Sequence, residues 1–247
     1  MIRLFVILFA LLPSPVFATG HCVLLIHGLG RTPFSLAPMQ VLLEARGYTV
    51  VNVGYASRQA PVEELAAEVL PPAYRECGPR RIHAITHSMG GIVFRAGMTQ
   101  TRPPFLGRVV MLAPPNQGSQ LVDMLGEIEV FGWVGGPAGV QLGTGPDSLP
   151  LRLPPVDYPV GVIAGSQTIN PYFSSVVDGP DDGKIAVSET VVEGMRAQLI
   201  LPVTHTFMMN NPQVIAQALS FIETGAFARH LTWFDAVGDL AMRRLLP

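Results

Sequence analysis

From residue 23 to residue 223, short runs rich in valine, isoleucine and leucine alternate with helix-like segments, and this rhythm narrows the possible folds most. Val23 to Ile26, Tyr48 to Val53, Arg81 to Thr86, Val109 to Leu112, Val160 to Ala164 and Gln198 to Leu201 read as strands. Helix patterns lie between or after them at Leu36 to Arg46, Val62 to Arg75, Gly91 to Thr99 and Pro212 to Glu223. Strands without polar alternation are buried on both faces, as in parallel sheets. Parallel strands need crossover helices, so the pattern predicts an α/β architecture: a mostly parallel central sheet with helices on both faces. Pro212 suits the first turn of its helix. Pro71-Pro72 is expected to bend or shorten the second helix, because proline removes a donor and crowds the preceding turn.

A chain of 247 residues with 49% hydrophobic and 14% charged content can bury a sizeable core as one domain and is not disordered. A net charge of -2 without a basic cluster argues against nucleic acid as a partner. Residues 1–18 resemble a secretory signal peptide. Arg3 is the positive end, Leu4 to Leu12 is apolar throughout, and Val16-Phe17-Ala18 offers a small-x-small cleavage site. That apolar run is far shorter than the roughly 20 residues that span a bilayer. The alternative is an uncleaved anchor. The expected location is periplasmic or secreted, with residues 19–247 as the folded domain. Export favours a bridge between Cys22 and Cys77 over two free thiols, since parallel neighbouring strands would place both at one end of the sheet. No Cys/His cluster has zinc spacing, and no metal or cofactor is expected.

The strand Arg81 to Thr86 runs into Thr86-His87-Ser88-Met89-Gly90-Gly91 and then a helix. Strand, serine in a tight turn, helix is the layout of a nucleophile elbow, in which the turn lifts the hydroxyl above the sheet edge and Gly90 supplies the small residue. The plain alternative for Ser88 is a helix N-cap. A serine nucleophile needs an oxyanion hole, and Leu25-Ile26-His27-Gly28-Leu29-Gly30 follows the first strand where one would lie. The expected donors are the N–H groups of Leu29 and Met89, with Gly28 letting the loop come close. His27 is expected to brace that loop, and His87 to point away from the serine.

His205 lies after the last strand and before the last helix, at the same sheet edge as Ser88, and is the expected general base. The acid that would orient it is sought in Asp178-Gly179-Pro180-Asp181-Asp182-Gly183. Asp182 is the first choice, Asp181 the second and Asp178 the third, while Asp157 remains open. The same stretch also reads as an Asp/Gly turn or a cation loop. Residues 120–158 interrupt the strand–helix rhythm with apolar and aromatic residues before a Gly/Pro-rich run, and are read as a lid or acyl-binding cap rather than a plain surface connection. His230 to Leu246 could form an amphipathic helix carrying no chemistry.

His27-Gly28-Leu29, His87-Ser88-Met89-Gly90-Gly91, Asp182-Gly183 and His205 together resemble the α/β-hydrolase superfamily, and within it the small bacterial lipase- and esterase-like serine hydrolases. The resemblance implies an α/β-hydrolase fold with a reduced N-terminal part and hydrolysis of small-molecule or lipid carboxylic esters by a Ser-His-Asp triad. One departure is Thr86, where the elbow usually opens with glycine, so local packing there must differ. A thioesterase or acyltransferase would use the same residues, and a non-catalytic binding protein would keep the scaffold without the chemistry. Peripheral contact with a membrane or lipid is a further expectation for such a hydrolase, and the oligomeric state is open.

Overall fold

The computed structural model describes residues 20–126 and 129–238. The expected signal at 1–18 lies outside the described residues, and the tail segment is described only to residue 238. Six strands form one sheet: β1 (His21–Ile26), β2 (Thr49–Val53), β3 (Arg81–His87), β4 (Leu106–Leu112), β5 (Val160–Gly165) and β6 (Ala197–Leu201). Their order is β2-β1-β3-β4-β5-β6 and every neighbouring pair is parallel. Ile26 pairs with Thr86, Thr86 with Met111 and Leu112 with Ile163, so the strands end together and their following loops share one edge.

Alternate side chains feed two cores. Leu24 and Ile26 face a layer built with α2 (Val62–Cys77) and α3 (Met89–Gln100). Val23 and Leu25 face the layer of α1 (Ala37–Ala45) and α8 (Pro212–Thr224). Both faces of the sheet are therefore apolar, which is why its strands show no alternation in sequence.

Pro71 and Pro72 do not shorten α2, which runs through both to Cys77. The carbonyls they leave without a helical donor belong to Ala67 and Glu68, whose positions are exposed. Water can serve those oxygens, while Leu70, Ala73 and Tyr74 stay buried and hold the helix to the sheet. Cys77 closes α2 and is bridged to Cys22 in β1, with Cα atoms 5.6 Å apart.

Residues 120–158 are more regular than their composition suggests, with α4 (Gln120–Gly126), α5 (Glu129–Val140) and α6 (Leu149–Arg152). α5 is broken at Gly136, whose φ is 63°. A Cβ there would collide with the carbonyl oxygen of Arg58, so only glycine lets α5 approach the loop after β2. A short helix, α7 (Pro171–Ser174), is capped by the Asn170 side chain. Among the described residues no helix is long and apolar enough to cross a membrane.

Candidate active site

The shared edge of the sheet gathers loops from β1, β3, β4, β5 and β6. Ser88 follows β3 directly with φ 53° and ψ -130°, a left-handed conformation that a non-glycine residue adopts at a cost of about 1–3 kcal/mol. The surroundings hold it there. The Ser88 N–H donates to the Leu112 carbonyl at 2.8 Å, and the Ser88 carbonyl accepts from Gly91 N–H at 2.9 Å. A Cβ on Gly90 would run into the carbonyl oxygens of Ile26 and His27. Thr86 is accommodated by Gly91, where a Cβ would stand 3.2 Å from Thr86 Oγ1 and 3.1 Å from Pro114 Cβ. The second glycine of the motif thus makes room for the β-branched residue that opens it.

Ser88 occupies the N-cap position of α3, yet its side chain makes no capping hydrogen bond. Its Oγ lies 3.0 Å from Nε2 of His205 instead. His205 Nδ1 lies 2.8 Å from Oδ2 of Asp182, and both residues are buried. A carboxylate only accepts, so Nδ1 carries the proton and Nε2 offers its lone pair to the serine hydroxyl. Asp182 is held in turn: its Oδ1 accepts from the N–H of Lys184 at 3.1 Å and of Ile185 at 2.9 Å, and its carbonyl accepts from His205 N–H at 2.9 Å.

The other candidate carboxylates do not meet His205. Asp181 accepts from Ser174 Oγ and Gly183 N–H, each at 2.6 Å. Asp178 is exposed, and Asp157 pairs with Arg102 at 3.0 Å.

His87 is fully enclosed, and its Nε2–H donates to the His205 carbonyl at 3.1 Å rather than to Ser88. Burial, followed by the nearby His205, holds its pKa well below the usual histidine value, so it is a neutral brace under the His205 loop. His27 stacks on Tyr55 with centroids 4.2 Å apart, and its Nδ1 donates to the Gly28 carbonyl at 2.9 Å. Burial keeps it neutral as well. Tyr55 Oη donates to the His27 carbonyl at 2.5 Å, and Gly30 N–H donates to Ser57 Oγ at 2.9 Å. The Leu29 and Met89 N–H groups meet no acceptor among the described residues. A Cβ on Gly28 would lie 2.9 Å from Ser88 Cβ, so that glycine sets how near the loop comes to the serine.

Tyr55 and Ser57 escaped notice in the sequence. The available signal was position: both follow β2, on the edge where every strand-end loop meets. Glu189 is another. Its carboxylate takes Gln120 N–H at the start of α4 and Ala186 N–H, each at 2.7 Å, tying α4 to the Asp182 loop. Burial, partly countered by these bonds, raises its pKa.

A cavity of about 490 Å³ opens over Ser88 and His205. Leu121, Val122 and Leu125 of α4, with Leu142, Phe173 and Ile185, make its apolar wall. Among the described residues no cluster of histidine, cysteine or carboxylate groups could hold a metal ion.

No family model and no curated protein matches the sequence. Solved structures do match in fold. A Bacillus licheniformis lipase, BlEst2 in mature form, aligns over 88% of this chain and 95% of its own at 17% identity, with a TM-score of 0.60. Phospholipase PlaB from Legionella pneumophila aligns over 90% of this chain and 63% of its own at 18% identity, with a TM-score of 0.63. The type II thioesterase BorB aligns over 87% of this chain and 95% of its own at 16% identity, with a TM-score of 0.51. The chain has the α/β-hydrolase fold.

Proposed function

We propose that this protein is an exported serine hydrolase of carboxylic esters in which Ser88, His205 and Asp182 act as nucleophile, base and orienting acid. The observation that carries this reading is the unbroken hydrogen-bonded line from Ser88 Oγ through His205 to Asp182, at 3.0 and 2.8 Å, on the floor of an apolar cavity. A capping serine would have bonded to its own helix; this one does not.

The chemistry follows from the atoms. As Ser88 Oγ attacks the acyl carbonyl, its proton passes to His205 Nε2, and the Asp182 carboxylate stabilises the resulting imidazolium. Negative charge collects on the carbonyl oxygen, where the Leu29 and Met89 N–H groups receive it. Collapse breaks the acyl C–O bond, and His205 returns the proton to the leaving alcohol. Water then repeats the sequence on the acyl-enzyme: His205 takes its proton, the hydroxide adds, and Ser88 leaves with the proton restored. No cofactor enters these steps. The apolar wall contributed by α4 suits an acyl chain, which supports the reading of residues 120–158 as an acyl-binding cap. The Cys22–Cys77 bridge supports an oxidising compartment and hence export.

Hydrolysis of p-nitrophenyl esters of graded acyl length tests the reading. The wild-type chain is expected to turn over, and Ser88→Ala to lose about 10⁴-fold or more of kcat/KM. Folded wild-type protein inert on these esters and on acyl thioesters alike would refute it. Turnover of thioesters alone would move the substrate class and keep the residues.

A further inference from the structure

Arg31 and Lys184 both line the cavity over Ser88, and both are half-buried. Arg31 follows the Leu29 loop, and its Nη2 reaches the Thr206 carbonyl at 3.5 Å, one residue past His205. Lys184 follows Asp182, and its backbone N–H is one of the two that hold that carboxylate. Neither cation has a carboxylate partner within ion-pair distance among the described residues. Asp182 is the acidic group facing Lys184, and its oxygens are occupied by His205 and by the N–H groups of Lys184 and Ile185. Burial first, then the charge of Arg31, pushes the Lys184 ammonium below its ordinary value. Two unpartnered cations held near each other in a half-dry cleft are unfavourable unless an anion joins them.

A second hollow, of about 1010 Å³, begins where the first ends. The two share Gly30 and Arg31. The second is open and largely apolar, with Phe34, Val41 and Phe207 on its walls, all strongly exposed. Arg31 therefore stands at a junction, with the acyl cavity and Ser88 on one side and an apolar groove on the other.

We propose that Arg31 and Lys184 form an anion subsite beside Ser88, and that the substrate is an ester carrying a phosphodiester flanked by apolar chains, the chemistry of a diacyl glycerophospholipid. This rests on the hydrolase reading above. Charge complementarity selects the anion, and the continuity of the groove with the cleft selects a second chain. Guanidinium and ammonium donors suit phosphate oxygens. The chain under attack lies in the cavity walled by α4, the phosphodiester meets the two cations, and the other chain lies along Phe34 and Phe207. The acyl C–O bond breaks, water supplies hydroxide to the acyl carbon and its proton to the alkoxide, and a fatty acid and a lysophospholipid leave.

The test measures kcat/KM of the full chain on short-chain phosphatidylglycerol below its micelle concentration, on diacylglycerol with the same chains, and on p-nitrophenyl succinate against p-nitrophenyl butyrate. The wild type is expected to prefer phosphatidylglycerol to diacylglycerol. Arg31→Gln and Lys184→Gln should each lower that ratio by about ten- to a hundred-fold, the effect of losing one charged hydrogen bond. Lys184→Arg, which keeps charge and fold, should retain most of it. Hydrolysis of diacylglycerol without preference for phosphatidylglycerol, or a ratio unmoved in Arg31→Gln and Lys184→Gln, overturns the inference and leaves the Ser88 chemistry standing. A preference for the succinate ester without one for the phospholipid also overturns it, since the anion is then a carboxylate. Folded wild-type protein inert on all four esters overturns this inference, and inertness on acyl thioesters as well overturns the hydrolase reading with it.

Discussion

Replacing Asp182 by asparagine changes one oxygen to an amide nitrogen and tests how His205 is set. Asp182 Oδ1 accepts from the Lys184 and Ile185 N–H groups, and Oδ2 faces His205 Nδ1. In the variant the remaining carbonyl oxygen is needed by the two backbone donors, so the amide NH2 is turned toward the imidazole. Nδ1 must then accept, the ring proton moves to Nε2, and the lone pair that Ser88 needs is gone. The expected loss in kcat/KM is about 10⁴-fold, or about 5 kcal/mol of transition-state stabilisation. The fold should survive, because shape and backbone contacts are kept. Asp181→Asn is the matched control. Both donors on Asp181, Ser174 Oγ and Gly183 N–H, reach the same oxygen, which asparagine can still present. At most about 1 kcal/mol of hydrogen bonding is disturbed, so activity should stay within about five-fold. The assay is ester hydrolysis with thermal melting of each variant alongside. An Asp182→Asn enzyme within ten-fold of wild type, or an Asp181→Asn enzyme that is the more damaged of the two, would refute the assignment of the acid.

Replacing both Cys22 and Cys77 by serine frees a loop of 55-residue separation in the unfolded chain and should cost about 4 kcal/mol of stability, seen as a lower denaturation midpoint under non-reducing conditions. A midpoint unchanged from wild type would contradict the bridge. His83 is held at about 4 by burial first, then by the charges of His21, Arg108 and Arg81. The unfolded chain takes up that proton near pH 6.5, so its share of stability is complete above about 6.5 and is lost as pH falls toward 4, by up to about 3 kcal/mol. Denaturant titrations at stepped pH should show that slope. His83→Asn, which can still accept from Arg108 N–H, should flatten it.

The layered architecture was legible because its cause is local. Valine, isoleucine and leucine without alternation mean a strand covered on both faces, and six strand runs with helix patterns between the first four leave a parallel sheet as the economical solution. Ser88, His205 and the two glycine-bearing loops could be nominated for the same reason: parallel strands send all their following loops to one edge, so chain order already says which residues meet. Local pattern misled on the length of α2, where propensity counted the donors lost at Pro71-Pro72 without knowing that the residues bearing the freed carbonyls, Ala67 and Glu68, are exposed to water. Residues 120–158 were read as a lid or cap from their apolar and aromatic content, but which stretches of them are helical was not legible: the structure has α4, α5 and α6 there.

What the order of residues could not decide was direction. Asp181 and Asp182 are adjacent and chemically alike, and a turn sends one carboxylate to His205 and the other to Ser174. Tyr55 and Ser57 become partners of His27 and Gly30 only when the loops after β1 and β2 close on each other. Arg31 and Lys184 are 153 positions apart in numbering and carry no motif, yet they border one cavity. Periodicity along the chain determines which faces are buried, because burial is a property of each element. Which polar atoms face one another depends on the three-dimensional course of several loops at once, and that is settled only when the sheet brings them to its edge.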